Sequence, residues 1–288
     1  MMRQHETKAM RLLFLGDIMG RTGREAVIAQ MPELRKKLDL DFVTVNGENA
    51  AHGYGISEVI ARDLYEAGVD CITTGNHIWD KKEIIPYIER DQRLLRPINY
   101  PDGTPGKGAV VLQARDGRRV MVVNLMCRLF MDALGDPFAA LDKVLKQNPM
   151  GRAVQAVIVD VHGEANSEKM AFGHFCDGRA SLVVGTHTHV PTADYQIFPG
   201  GTAYQSDAGM CGDYDSVIGM NKAAAVAKFT RKMPGERLTP AEGPATICGV
   251  FVETDDLTGL ARRILPVRAG GRLDQALPVV AARRPALV

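Results

Sequence analysis

The chain has 288 residues, a length that suits one α/β domain with a large core. Lys and Arg number 35 against 34 Asp and Glu, a formal charge of +1 that excludes a global basic field drawing the whole chain onto nucleic acid or anionic lipid. The longest apolar runs, such as VMVVNLM at 120–126, are strand-sized and exclude a membrane-spanning helix, and five scattered cysteines without a CxxC pair exclude a disulfide framework.

MMRQHETKAM has no apolar centre and is unlike a secretory signal, so residues 1–10 are expected to form a flexible extension and the protein to be cytoplasmic. RLLFLGD, 11–17, is an apolar run closed by Gly and Asp, and helical periodicity follows it to about residue 38. DFVTVNGEN, 41–49, repeats the pattern, and SEVIARDLYEAG, 57–68, predicts an amphipathic helix capped by Ser57. VDCITTGNHIWD, 69–80, is a third strand running into a polar loop. GAVVLQARDGRRVMVVNLM, 108–126, predicts a hairpin turning at Asp116 and Gly117. A helix over 137–147 precedes two strands that end in histidine, within 153–165 and 180–191, and 246–256 with 261–269 predict a late hairpin. Residues 86–108 and the Gly-rich 198–219 are expected as surface loops around a cleft or small cap.

Strands alternating with helices point to an α/β core, and the hairpins make its sheets mixed. In such folds reactive groups collect beyond strand C-termini. Here those ends carry Asp17, Glu48, Asn49, Asn76, His77, His162, His187 and His189. Carboxylate, amide oxygen and imidazole form a donor set for divalent first-row metals, unlike a thiolate site. Each residue alone has a plain reading: HxH as a polar loop, His162 as a core hydrogen-bonding residue, Asn76 as a turn cap, Asp17 as an Asx turn. Their recurrence at strand ends is what points to a metal centre.

FLGD at 14–17, NGEN at 46–49, GNH at 75–77, VHGE at 161–164 and GTHTHV at 185–190 resemble the five signature regions of the calcineurin-like dinuclear metallophosphoesterases. NGENAAHGYGIS, TTGNHIWDKKEI, RPINYPDGTPGKG, SEKMAFG, DGRASLVVGTHTHVPTAD and GMCGDYDSVIGM narrow the resemblance to the YmdB-like bacterial phosphodiesterases, from about 11 to 267. The superfamily's usual Asp-x-His is Asp17-Ile18-Met19 here, and Met19 is no substitute for imidazole. The YmdB-like pattern repairs this with Glu48 as the bridge and Asn49 as the missing ligand.

That resemblance implies a four-layer α/β/β/α sandwich with mixed sheets and a small cap or loop excursion. It divides the chain into the extension 1–10, a catalytic domain over 11–270 and a C-terminal tail over 271–288. One metal would be held by Asp17, Glu48, Asn49 and His189, the other by Glu48, Asn76, His162 and His187. The pair would be divalent or mixed-valence, Mn or Fe, with Zn also compatible. His77 would protonate the leaving oxygen or stabilise negative charge while metal-bridging hydroxide attacks phosphorus. Ile78 stands where some related sites carry a supporting carboxylate, and the sequence does not assign Asp80 that part. The substrates implied are small phosphodiesters, above all 2',3'-cyclic nucleotides, with RNA in range; a homo-oligomer is compatible.

Other residues carry weaker signals. His52 and Tyr54 could line substrate entry, Trp79 and Tyr100 could stack on a base and Lys107 could attract phosphate, with packing or a solvated turn as the plain alternative. Asp207, Cys211, Asp213, His174 and Cys176 read as structural, and His5 as part of the tail. The competing functions are a phosphomonoesterase or nucleotidase on the same centre, a phosphate-sensing regulatory protein with weak turnover, and a purely structural α/β protein.

Overall fold

A computed structural model describes residues 9–231 and 235–281 of the chain. His5, most of the expected extension (1–8) and the end of the expected tail (282–288) lie outside these residues.

The first half alternates strands with helices: β1 (Arg11–Leu15), β2 (Asp17–Ile18), α1 (Gly20–Leu38), β3 (Phe42–Asn46), α2 (Glu58–Ala67), β4 (Cys71–Thr73) and α3 (Ile84–Ile88). Ser57 caps α2 by accepting from the Ile60 N–H at 3.4 Å, and Gly68 closes it in the left-handed region at φ 110°. The middle holds β5 (Ala109–Gln113), β6 (Arg119–Met126), α4 (Pro137–Gln147), β7 (Ala156–His162), α5 (Asn166–Phe175) and β8 (Leu182–Thr186). Gly117, at φ 85°, turns the β5–β6 hairpin. After these come β9 (Gln196–Ile197), β10 (Ala203–Gln205), β11 (Met210–Asp213), α6 (Lys222–Arg231), β12 (Ala245–Thr254) and β13 (Ala261–Ala269).

These strands form two mixed sheets. In the seven-stranded sheet, β1, β3 and β4 are parallel neighbours, and β12 runs antiparallel to β1 with β13 along its other side. β11 joins the start of β12 and pairs with β2. The six-stranded sheet has the order β5-β6-β7-β8-β10-β9, parallel from β6 through β10.

Strand alternation explains the layers. Leu12 and Phe14 of β1 pack with Val250 and Val252 of β12 against Val120, Val122, Ile158 and Val184 of the other sheet. Their neighbours Leu13 and Leu15 face outward onto Val27, Met31 and Leu34 of α1 and Ile60 and Leu64 of α2. Across the molecule, Met121, Val123, Val157 and Val159 pack on Leu141 and Leu145 of α4 and Phe172 of α5. Both faces of each central strand are therefore buried, which is why these strands read as unbroken apolar runs. The result is the four-layer α/β/β/α sandwich.

Two expectations need correction. The Gly-rich stretch 198–219 is not simply a surface loop: buried β10 completes the six-stranded sheet and buried β11 joins the seven-stranded one. Strands of three and four residues are too short to show a period of two. The stretch 86–108 is anchored rather than free, because Leu94 and Leu95 are fully buried and bridge to Ile72 and Lys107. Helices α5 and α6 were not anticipated; among the residues of α6 only Ala225 is buried, so the helix has little apolar periodicity to detect. No helix among the described residues is long and apolar enough to cross a membrane.

Candidate metal centre

Parallel strands place their C-terminal ends on one edge of a sheet. Asp17 lies just beyond β1, Glu48 and Asn49 beyond β3, Asn76 and His77 beyond β4, and His187 and His189 beyond β8, while His162 is the last residue of β7. The two sheets are joined beneath this edge: the Asn46 amide donates to Asp160 Oδ2 at 3.0 Å and lies 3.4 Å from Thr186 Oγ1.

Two donor groups result, and both contain Glu48. One is Asp17, Glu48 and His189; the other is Glu48, His162 and His187, and within each the ligand atoms lie within 4.8 Å of one another. Glu48 Oε1 is 3.3 Å from His162 Nε2, and Asp17 Oδ1 is 3.9 Å from His189 Nε2. Asn76 Oδ1 lies 2.9 Å from His162 Nε2, with its oxygen turned into the second group. Asn49 reaches the first group, but it is the amide nitrogen that faces Glu48 Oε1 at 3.1 Å and His189 Nε2 at 3.2 Å. A half-turn of that amide exchanges nitrogen for oxygen with little change of shape.

Hydrogen bonds on the far side of each ring select the nitrogen that faces inward. His162 Nδ1 meets Thr186 Oγ1 at 2.9 Å, and that hydroxyl donates to Asp160 Oδ1 at 2.7 Å. The Thr186 oxygen therefore accepts from Nδ1–H, so Nε2 is the nitrogen that faces the centre and offers a lone pair once its own proton is displaced. His189 Nδ1 donates to the carbonyl of Ile218 at 2.8 Å, again leaving Nε2 for the centre. Ile218 is a β-branched residue at φ 48°, strained backbone at the point where it presents that carbonyl. His187 is reversed: Nδ1 faces His162 Nε2 at 3.2 Å, and Nε2 lies 3.5 Å from Glu164.

Burial and these neighbours shift the acids and bases strongly. Burial raises the Asp17 carboxyl to about 7 despite the nearby His189 and His162. Burial would also raise Glu48, but His162 and the backbone N–H of His77, which donates at 3.2 Å, bring it down to about 2. His162 loses hydration, yet Glu48, Asp17 and Asp160 lift it to about 9. Burial and the charge of His162 push His187 down to about 3.

Four observations fit a bound metal pair. Asp17 Oδ1 is buried with no hydrogen-bond partner, an orphan carboxyl oxygen of the kind folds seldom leave. The outward nitrogens of His162 and His189 are held by Thr186 and Ile218, which leaves Nε2 of each ring facing the centre. The donors are all oxygen and nitrogen, a set that suits Mn, Fe or Zn. Finally, a Cβ at Gly75 would overlap the His162 ring and the Glu48 carboxylate, so the turn before Asn76 closes over the donors only as glycine.

His77 borders this centre. Its Nδ1 meets Asp80 Oδ2 at 2.8 Å, its ring stands edge-on to Tyr54 at 5.1 Å, and Nε2 has no partner among the described residues. Asp80 thus takes the place that Ile78 cannot. Trp79 and Tyr100 contact each other edge to face at 5.9 Å, His52 is exposed at φ 58°, and Lys107 Nζ bonds Gln92. His174 stacks on Phe198, Asp213 is tied to Gly243, and all five cysteines are buried free thiols. Sequence reasoning missed Asp160, Thr186, Glu164 and Lys169, and left Asp207 as structural. Glu164 sits inside VHGE, Thr186 inside GTHTHV and Lys169 inside SEKMAFG, so these were within reach; what only folding shows is the partner each one meets.

A two-sheet α/β/β/α sandwich whose strand ends gather two carboxylate and imidazole groups about one shared glutamate is a calcineurin-like, metal-dependent phosphoesterase. Within that class the chain belongs to the YmdB-like protein family, which it matches over residues 13–267. It is 46% identical over 255 residues to a 2',3'-cyclic-nucleotide 2'-phosphodiesterase of Bacillus subtilis (strain 168), covering 88% of this chain and 95% of the relative. A crystal structure of a Thermus thermophilus protein superposes with a TM-score of 0.84 at 43% identity, covering 91% of this chain and all of that one. A phosphatase structure from Mycoplasma pneumoniae superposes at 0.85 with 33% identity, covering 92% and 94%.

Proposed function

We propose that the protein hydrolyses small phosphodiesters, 2',3'-cyclic nucleotides foremost, at a dinuclear centre of Mn or Fe. The observation that carries this reading is Glu48 shared between two donor groups, with His77 beside it. Asp17, Glu48, Asn49 and His189 would hold one ion, with the Asn49 amide turned so that its oxygen faces inward. Glu48, Asn76, His162 and His187 would hold the other. Bound cations supply charge that acidifies water and neutralises phosphoryl oxygens.

The chain's own residues do the rest. Ile218 and Thr186 keep Nε2 of His189 and His162 available, and Asp80 holds the His77 ring through Nδ1 so that a proton on Nε2 can pass to the leaving oxygen. That proton matters most for a ribose alkoxide, a poor leaving group. The strong likeness to the B. subtilis 2',3'-cyclic-nucleotide 2'-phosphodiesterase supports the diester reading.

Metal-loaded protein is expected to hydrolyse a 2',3'-cyclic nucleotide faster than the matched monoester, and preference for the monoester would overturn the substrate reading. In His77→Ala, diester kcat should fall by about 10²- to 10⁴-fold with metal content retained. Unchanged turnover would remove His77 from the reaction.

A further inference from the structure

Lys169 of α5 has no exposed surface, and its ammonium meets Asp207 Oδ2 at 2.9 Å, also fully buried. Such a pair needs a reason, since well-packed apolar replacements of buried ion pairs are often as stable. The reason lies in what else Asp207 binds. The same Oδ2 accepts from the Thr188 N–H at 3.0 Å and the Thr188 hydroxyl at 2.8 Å, while Oδ1 accepts from the Gly209 N–H at 2.9 Å.

Thr188 is the spacer between His187 and His189. An extended His-Thr-His would present both imidazoles on one side. Here the flanking histidines lie at φ 99° and 66°, a region non-glycine residues rarely enter. Those two turns send His187 to the Glu48 and His162 group and His189 to the Asp17 and Glu48 group. The carboxylate also reaches the other ligand strand, because the Gly209 carbonyl accepts from the Asp17 N–H at 3.1 Å. Gly185 packs tightly here: a Cβ there would overlap the Ser206 carbonyl oxygen first and meet Cδ of Lys169 at 2.8 Å, so GTHTH needs glycine chiefly for the neighbouring backbone.

We infer that the Lys169–Asp207 pair is the positioning device of the centre, holding Thr188 so that His187 and His189 part toward two different metal ions. Lys169 pairs with the Asp207 carboxylate in the interior, and that carboxylate, bonded to Thr188 and Gly209, anchors the strained turns. Neither residue touches substrate. The inference rests on the dinuclear reading above.

The test uses Thr188→Val, which keeps the shape and removes the hydroxyl, Thr188→Ser, which keeps the hydroxyl, and Lys169→Met. Each full-length protein is titrated with Mn(II) by calorimetry, melted without metal, and assayed on a 2',3'-cyclic nucleotide. Thr188→Val should melt near wild type yet bind Mn(II) about tenfold or more weakly, the scale of outer-sphere effects on metal affinity. Its kcat should fall with KM unchanged, and Thr188→Ser should restore both. Lys169→Met should weaken Mn(II) binding further. Wild-type Mn(II) affinity in Thr188→Val and in folded Lys169→Met would overturn the proposal and leave the pair a packing feature. Weakened Mn(II) binding in the variants, with no diester turnover even by wild type, would reject the proposed activity and sustain the positioning role. If wild type takes up no Mn(II), both readings fall.

Discussion

Asp17 and Glu48 are buried carboxylates in one cluster, yet their environments separate them, Asp17 rising to about 7 and Glu48 falling to about 2. The difference is the imidazolium: Glu48 sits 3.3 Å from His162 Nε2, whereas Asp17 Oδ1 is 4.0 Å from Nδ1 and is left without a hydrogen bond. In the metal-free protein the protons on Asp17 and His162 occupy the role of cations. Both groups bind protons more tightly folded than unfolded, Asp17 shifting from 3.8 to about 7 and His162 from 6.5 to about 9. Their contribution to stability is therefore full at low pH and is lost as pH rises through those folded values. Glu48 acts oppositely, but only in acid, where its contribution disappears as pH falls from 4.5 toward about 2. The melting temperature of metal-free protein should fall between about pH 7 and 9, and Mn(II) loading should flatten that slope because metal displaces the protons. A metal-free protein that becomes more stable over this range would contradict the assignment.

At the scale of elements, the site depends on how strands end. The turn after β4 brings Asn76 and His77 over Glu48 only because Gly75 has no side chain. Gly75→Ala should destabilise the protein by about 1–3 kcal/mol, the usual range for overpacking. It should also reduce Mn(II) affinity by more than that loss of stability explains, since the added methyl meets two donors. Denaturant melts compared with Mn(II) titrations measure both; a change in stability with normal metal binding would show that the turn yields without moving the donors.

Most elements of this kind were legible. Strands β1, β3, β7 and β8 are apolar runs closed by polar residues, and α2 carries its own cap in Ser57 and stop in Gly68. Strands β10 and β11 were not, because they are three and four residues long and are made strands by pairing, β10 with β8 and the two-residue β9, β11 with β2 and β12. The partnership of His77 with Asp80 appears only when residues 76–80 turn, and Lys169 and Asp207 are 38 positions apart in the chain.

Across the whole molecule, the centre joins two sheets. Asp17, Glu48, Asn49 and Asn76 follow strands of one sheet, while His162, His187 and His189 belong to the other. A metal pair would cross-link the layers and bind the native state alone, stabilising it by RT ln(1 + [L]/Kd), about 2.7 kcal/mol per site at a hundredfold excess over Kd. For a domain of this size that corresponds to a rise of roughly 5–10 °C per site, and chelation should reverse it. A melting temperature insensitive to both Mn(II) and chelator would be inconsistent with a centre spanning the sheets.

The sequence by itself determined the inventory: alternating apolar runs specify the layers, and the polar residues ending those runs are the candidate donors, since strand periodicity and donor chemistry are local properties. Tertiary structure decided the partition. Which nitrogen of His162 and His189 faces inward and that Lys169 and Asp207 hold Thr188 depend on hydrogen bonds between segments far apart in the chain, whereas Asp80 holds His77 across a single local turn. The distant bonds have no local signature, because their geometry exists only after the two sheets have packed.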